Sequence, residues 1–156
     1  MKISVSKEDL SSGLQSVQNV VGARSTLPIL SNVLLFAGDN KLELRATDLE
    51  VSINASVPAK VEVEGASSLP AKRLFGLVRE IEANEIEIDI NDKEIATVQA
   101  GAANYKLHGL GADEYPPTAQ FQESGKIKVA QAKFREMIRK TSYAVSTDES
   151  RHTLNG

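Results

Sequence analysis

Apolar residues recur along this chain with two periods, two and about three and a half, and the switches between them mark the elements. Residues Met1 to Ser6 alternate, with Ile3 and Val5 on one face, and predict a short strand. Ser6 followed by Asp9 has the layout of a helix N-cap with a capping-box acid, so a helix is expected from Lys7. Leu10, Leu14, Val17 and Val21 then share one helical face and leave Lys7, Ser11, Gln15 and Gln18 on the other; this helix should end near Gly22. After Pro28, Ile29 to Phe36 is apolar and branched enough for a strand. Gly38-Asp39-Asn40 turns it into a second strand, Lys41 to Ala46, with Leu42 and Leu44 inward.

Val51 to Val57 and Val61 to Val63 alternate again, with Glu62 and Glu64 outward. Ser68 to Ala71 leads into a second helix, with Pro70 near its first turn, Leu74, Val78 and Ile81 as its apolar stripe, and Lys72, Arg73 and Arg79 off that stripe. Three strands in meander order follow, Ile86 to Ile90, Ile95 to Gln99 and Asn104 to Leu110, with turns at Asn91-Asp92-Lys93 and around Gly101. Gly111 to Gly125 contains Pro116-Pro117 and little periodicity, and reads as a linker. The fold class expected for residues 1–121 is α+β, an antiparallel sheet with two helices packed on one face.

A shift of 124 positions lays Lys126, Ile127 and Val129 on Lys2, Ile3 and Val5, then Phe134 on Leu10, Ile138 on Leu14, Thr141 on Val17 and Val145 on Val21. Repetition at so long a period means tandem domains, since solenoid units are shorter. Residues 122–156 are therefore expected to hold a linker and the strand, helix and strand that open a second copy. So short a piece cannot bury a core of its own, and the chain reads as the N-terminal part of a longer protein.

Composition narrows the chemistry. The 156 residues include no Cys and two His, which excludes thiol catalysis, Cys-ligated zinc and a His-rich metal site. No apolar run reaches membrane-span length and MKISVSKEDL lacks a signal-peptide layout, so a cytoplasmic protein with no membrane contact is expected. The net charge of -3 hides an asymmetry: residues 1–121 carry 11 basic and 17 acidic side chains, residues 122–156 carry 7 and 4. Residues 80 to 94 hold seven acids against Lys93 alone, and with Ile86, Ile88 and Ile90 inward, Glu85, Glu87 and Asp89 must face solvent. The helices are the reverse, with Lys72, Arg73 and Arg79 on the second and Lys133, Arg135, Arg139 and Lys140 against Glu136 on the partial third. A basic helical side opposite an acidic sheet side suggests a polyanionic partner held through phosphates.

Catalytic candidates are sparse. Asp48 and Glu50 are the one tempting acid pair, His108 alternates within a strand, and no nucleophile elbow, P-loop or H-E-x-x-H pattern is present. A non-catalytic protein without metal or cofactor is expected; the alternative is an α+β module binding a small ligand or protein, which would need an apolar pocket rather than segregated charge.

Gly22-Ala23-Arg24-Ser25-Thr26-Leu27-Pro28-Ile29-Leu30, Ala46-Thr47-Asp48-Leu49-Glu50, Leu69-Pro70-Ala71-Lys72 and Arg151-His152-Thr153-Leu154-Asn155-Gly156 resemble the bacterial DNA polymerase sliding clamp, the β subunit of DNA polymerase III, from end to end of the chain. The resemblance implies three similar domains per subunit and a head-to-tail homodimeric ring, with helices lining the bore and sheets outside. The ring would encircle double-stranded DNA as a processivity factor for replication, with DNA polymerase and clamp-loader subunits as partners of the full-length protein. Their pocket lies between the second and third domains in the family, so most of it would be missing here. By position the resemblance implies DNA contacts at Arg24, Lys72, Asp148, His152 and Thr153, and the first-domain side of the dimer interface at Arg73, Leu77 and Tyr105. The 148–153 loop departs from the family pattern, with Asp148 for a glutamine and His152 and Thr153 for two aromatics; a carboxylate beside a phosphate is unfavourable.

Overall fold

The computed structural model describes residues 1–21, 27–117, 127–148, 150 and 152–154. The chain divides into two compact units, Met1–Ala119 and Gln120–Gly156.

Unit one opens with β1 (Lys2–Ser6) and α1 (Lys7–Val17). The expected cap is formed: the Ser6 hydroxyl accepts from the Asp9 amide at 3.0 Å and donates to the Asp9 carboxylate at 2.6 Å. Leu10, Leu14 and Val17 are fully buried, so the sequence periodicity marks the core face correctly. Next come β2 (Asn32–Gly38), β3 (Lys41–Thr47), β4 (Ser52–Pro58), β5 (Lys60–Val63), β6 (Gly65–Pro70), α2 (Ala71–Glu80), β7 (Glu85–Ile90), β8 (Ile95–Ala100) and β9 (Ala103–His108). Asp39 and Asn40 both take positive φ, the conformation of the tight hairpin turn expected there.

The α+β class stands, but the strands divide into two antiparallel sheets rather than one, in the orders β5-β1-β7-β8-β9 and β4-β3-β2-β6. One apolar core joins them. Ile3, Ile86, Ile88 and Val98 of the first sheet and Val33, Leu35, Leu42 and Leu44 of the second cluster with Leu14 of α1 and Leu74 and Val78 of α2. Helix α1 sits unusually close to the second sheet. A Cβ on Gly13 would lie 2.5 Å from a Leu44 methyl carbon and 3.0 Å from one of Val57, so a larger residue there would require the buried Leu44 side chain to shift.

Three expectations change locally. The segment after Pro28 begins as a 3-10 turn, Pro28–Ser31, with Pro28 at its start, before extending into β2. Gly65–Pro70, expected only as the approach to a helix, is a full strand paired with β2 from Ala37↔Gly65 to Asn32↔Pro70. Its buried hydroxyls are satisfied: Ser68 accepts from the Asn32 amide at 3.0 Å and Ser67 donates to Glu94 at 2.5 Å. The first part of the expected linker is built into the domain. Leu110 bridges to Ser68, and Tyr115 is buried with Ile29 and Leu30, its hydroxyl shared between the carbonyls of Asn32 and Arg45 at 3.3 and 3.2 Å. Residues 118–125 lie outside the described residues.

Unit two contains α3 (Gln131–Thr141), which is α1 displaced by the same 124 positions at both ends. Its apolar residues Phe134, Met137 and Ile138 are each about half exposed. The strands expected on either side of it are absent among the described residues, and Ile127 to Ala130 carries no strand pairing. A strand needs a hydrogen-bonded neighbour; β1 has two, β5 and β7, whereas Ile127 to Ala130 has none among the described residues.

Candidate nucleic-acid interface

Helix α2 buries Ala71, Leu74 and Val78, which turns Lys72, Arg73 and Arg79 to solvent. Arg79 pairs with Glu80 at 3.1 Å, but both side chains are at least 70% exposed, so water screens most of the attraction. Among the described residues Lys72 and Arg73 have no ion-pair partner. Their charge is available at the first turns of the helix.

The outer face of the first sheet carries the opposite sign. Along β7, Ile86, Ile88 and Ile90 are buried while Glu85, Glu87 and Asp89 are exposed, as the alternation requires. Compensation is partial. Lys2 pairs with Glu62 at 2.7 Å, and this hydrogen bond raises the Lys2 pKa and lowers that of Glu62. Ser4 donates to Glu85 at 2.5 Å, which orients the carboxylate without neutralising it. Within unit one the exposed face of α2 is thus basic and the exterior of β7 acidic, while α1 carries Lys7 against Glu8 and Asp9.

On α3, Glu136 holds both Lys140 at 2.7 Å and Lys133 at 3.9 Å. Arg135 and Arg139, one helical turn apart, have no ion-pair partner among the described residues. They line a shallow hollow of about 440 Å³ with Gln131, Ala132 and Glu136. A hollow of about 520 Å³ occupies the equivalent part of α1, lined by Lys7, Glu8, Ser11, Ser12, Gln15 and Asn84 with Ser6. Under the 124-residue shift Arg135 replaces Ser11 and Arg139 replaces Gln15. Applying the shift to the polar positions as well as the apolar ones would have singled out this pair from sequence.

The other sequence-derived sites are scattered. Arg24 lies outside the described residues. In the second unit the Asp148 carboxylate accepts from the Ser150 amide at 3.0 Å and hydroxyl at 2.6 Å, so it caps a local turn. The Ser146 amide donates to the Leu154 carbonyl at 2.8 Å and closes this loop, which contains a 3-10 turn at His152–Leu154 with Thr153 exposed. Arg73 and Leu77 share one flank of α2, with Leu77 half-buried against the core. Tyr105 is 42% exposed on β9, the edge of the first sheet, and borders a hollow that also includes Glu80 and Ile81 at the end of α2. The acid pair weighed for catalysis is structural at Asp48, whose carboxylate accepts from the amides of Glu50 and Val51 at 3.0 and 2.7 Å. His108 is exposed on β9 opposite Ile95. No group of three or more metal-ligating side chains occurs among the described residues.

The family model described as the N-terminal domain of the DNA polymerase III beta subunit matches residues 1–120. The chain belongs to the DNA polymerase III β-subunit family. All of it aligns with curated beta sliding clamps, at 34% identity with that of Chlamydia muridarum and 30% with that of Bacillus subtilis, covering 43% of each. Among solved structures, the sliding clamp of Caulobacter crescentus superposes with a TM-score of 0.93 at 34% identity over the whole chain and 43% of that protein. The DNA polymerase III β subunit of Pseudomonas aeruginosa gives 0.90 at 32% identity, over 42% of its length. The chain thus spans about two fifths of the β subunits it matches.

Proposed function

We propose that the whole protein is a sliding clamp, a non-catalytic processivity factor that encircles duplex DNA in the cytoplasm and tethers the replicative polymerase. The observation that carries this reading is the segregation of charge in unit one, with Lys72 and Arg73 on α2, unpaired among the described residues, and Glu85, Glu87 and Asp89 on the outer sheet face. A ring on DNA needs cations on the side facing the duplex and no grip on the bases, because sliding requires contacts that are weak, phosphate-directed and interchangeable. Arg24, Lys72, Arg135 and Arg139 serve as such contacts, and His152 and Thr153 contribute from the loop after α3. Asp148 shapes that loop rather than touching phosphate, since its carboxylate is engaged at Ser150. Arg73, Leu77 and Tyr105 form the first-domain half of a homodimer interface, with β9 as its edge strand. Residues 1–121 make the first clamp domain and residues 122–156 the linker and opening of the second. The polymerase and clamp-loader subunits dock elsewhere on the whole protein.

The test is the salt dependence of duplex binding. Removing Arg24 or Lys72 with alanine is expected to weaken association similarly on every sequence and to reduce the slope of log affinity against log salt by about one per residue. An unchanged slope, or a loss confined to one DNA sequence, would contradict the assignment.

A further inference from the structure

A buried asparagine joins three separate stretches of unit one. Asn32 follows the 3-10 turn Pro28–Ser31, and its backbone amide closes that turn on the Ile29 carbonyl. In the sequence Arg24 precedes this turn by four residues. Across the sheet Asn32 forms the last register pair of β2 with β6, opposite Pro70, and Lys72 lies two residues further on. The start of α2 has no side-chain cap, so the pairing at Pro70 sets where the helix begins. The third stretch is the chain after β9. The Asn32 side-chain amide donates to the Ser68 hydroxyl at 3.0 Å, which donates in turn to the Leu110 carbonyl at 3.0 Å. Ser68 and Leu110 also exchange two backbone hydrogen bonds of 3.0 Å. The approach is close, since a Cβ on Gly109 would lie 2.4 Å from the Ser68 carbonyl oxygen. Further along, the Tyr115 hydroxyl returns to the carbonyls of Asn32 at 3.3 Å and Arg45 at 3.2 Å. Asn32, Ser68 and Tyr115 are all buried, so none of them can touch a phosphate. A buried polar network whose members satisfy one another holds its strands in a single arrangement, which apolar contact leaves more adjustable.

We propose that Asn32 and Tyr115 are positioning residues for duplex binding. They fix the start of α2, with Lys72, relative to the turn Pro28–Ser31 that follows Arg24 in the chain, and so set the spacing at which two cation-bearing segments meet the phosphates. This rests on the reading of Arg24 and Lys72 as phosphate contacts. Phosphate contacts orient a protein on the duplex, and they do so only when the segments that carry them keep a fixed separation.

Duplex binding by the whole protein tests it, at a temperature where circular dichroism shows every variant folded. Asn32→Leu keeps the side-chain volume and removes the amide; Tyr115→Phe keeps the ring and removes the hydroxyl. Each is expected to weaken binding about threefold in the parent and to change nothing in an Arg24→Ala/Lys72→Ala background, because the contacts it positions are already gone. A residue that merely supports the fold would lower affinity by the same factor in both. Equal factors in the two backgrounds, or parent-like binding by both variants, overturns the positioning role while leaving the phosphate contacts in place. If the Arg24→Ala/Lys72→Ala protein itself binds like the parent, the phosphate-contact reading falls and the positioning role falls with it.

Discussion

Helices α1 and α3 are the same eleven-residue element read twice, 124 positions apart, and they live in different surroundings. In α1, Leu10, Leu14 and Val17 are fully buried; the matching Phe134 and Ile138 of α3 are about half exposed. The spacing of apolar residues is preserved where the covering sheet is described and where it is not. Amphipathic periodicity therefore records which face a helix is built to bury, whereas stability comes from the strands it meets. The caps differ too. Ser6 closes the start of α1 with its side chain, and the equivalent Ala130 cannot. Where α1 has Gly13 pressed against Leu44, α3 has Met137, so the two helices cannot approach a sheet equally closely.

The largest contrast should appear on truncating the matched core positions. Leu14→Ala is expected to cost about 2–5 kcal/mol in denaturant unfolding of unit one, against less than about 0.5 kcal/mol for Ile138→Ala. Equal costs would mean that α3 is covered as well as α1. Gly13→Ala forces a Cβ into the Leu44 methyl and should destabilise unit one by about 1–3 kcal/mol, although alanine is the better helix former. The seat of Tyr115 comes next: Tyr115→Phe removes a buried hydroxyl from two carbonyls and should cost about 1–2 kcal/mol. Burial raises the pKa of this phenol, so its contribution is complete below the ordinary tyrosine value of 10.0 and is lost as pH climbs through the raised one. An alkaline unfolding profile that is the same with and without Tyr115→Phe would contradict this. Smallest is the exchange of caps: Ser6→Ala should cost about 1 kcal/mol, and Ala130→Ser should strengthen the first turn of α3 by a similar or smaller amount, read as slower amide exchange.

Where side chains alternate or cap, the sequence was readable. Ser6 with Asp9, Leu74 with Val78, and the Ile86-Ile88-Ile90 run all sit where the pattern puts them. β6 was not readable because Gly65-Ala66-Ser67-Ser68-Leu69-Pro70 has almost no apolar alternation; it is a strand because β2 pairs with it and because Asn32 and Glu94 satisfy its buried hydroxyls. The split into two sheets was hidden for a related reason, since β1 pairs with β5 and β7 from far along the chain and local pattern holds no record of such partners. At the site, the exposure of Lys72 and the outward acids followed from periodicity alone. The hollow beside Tyr105 did not, because it needs the end of α2 and the β8–β9 turn side by side.

The most direct test of the clamp reading is retention on circular DNA. The whole protein, assembled on a nicked circular duplex, is passed through gel filtration in salt high enough to strip ordinary phosphate contacts. Retention on the circle and loss after a single linearising cut is the predicted result, because a ring held by topology leaves only through an end. Equal loss from circle and linear duplex, or equal retention on both, would contradict it.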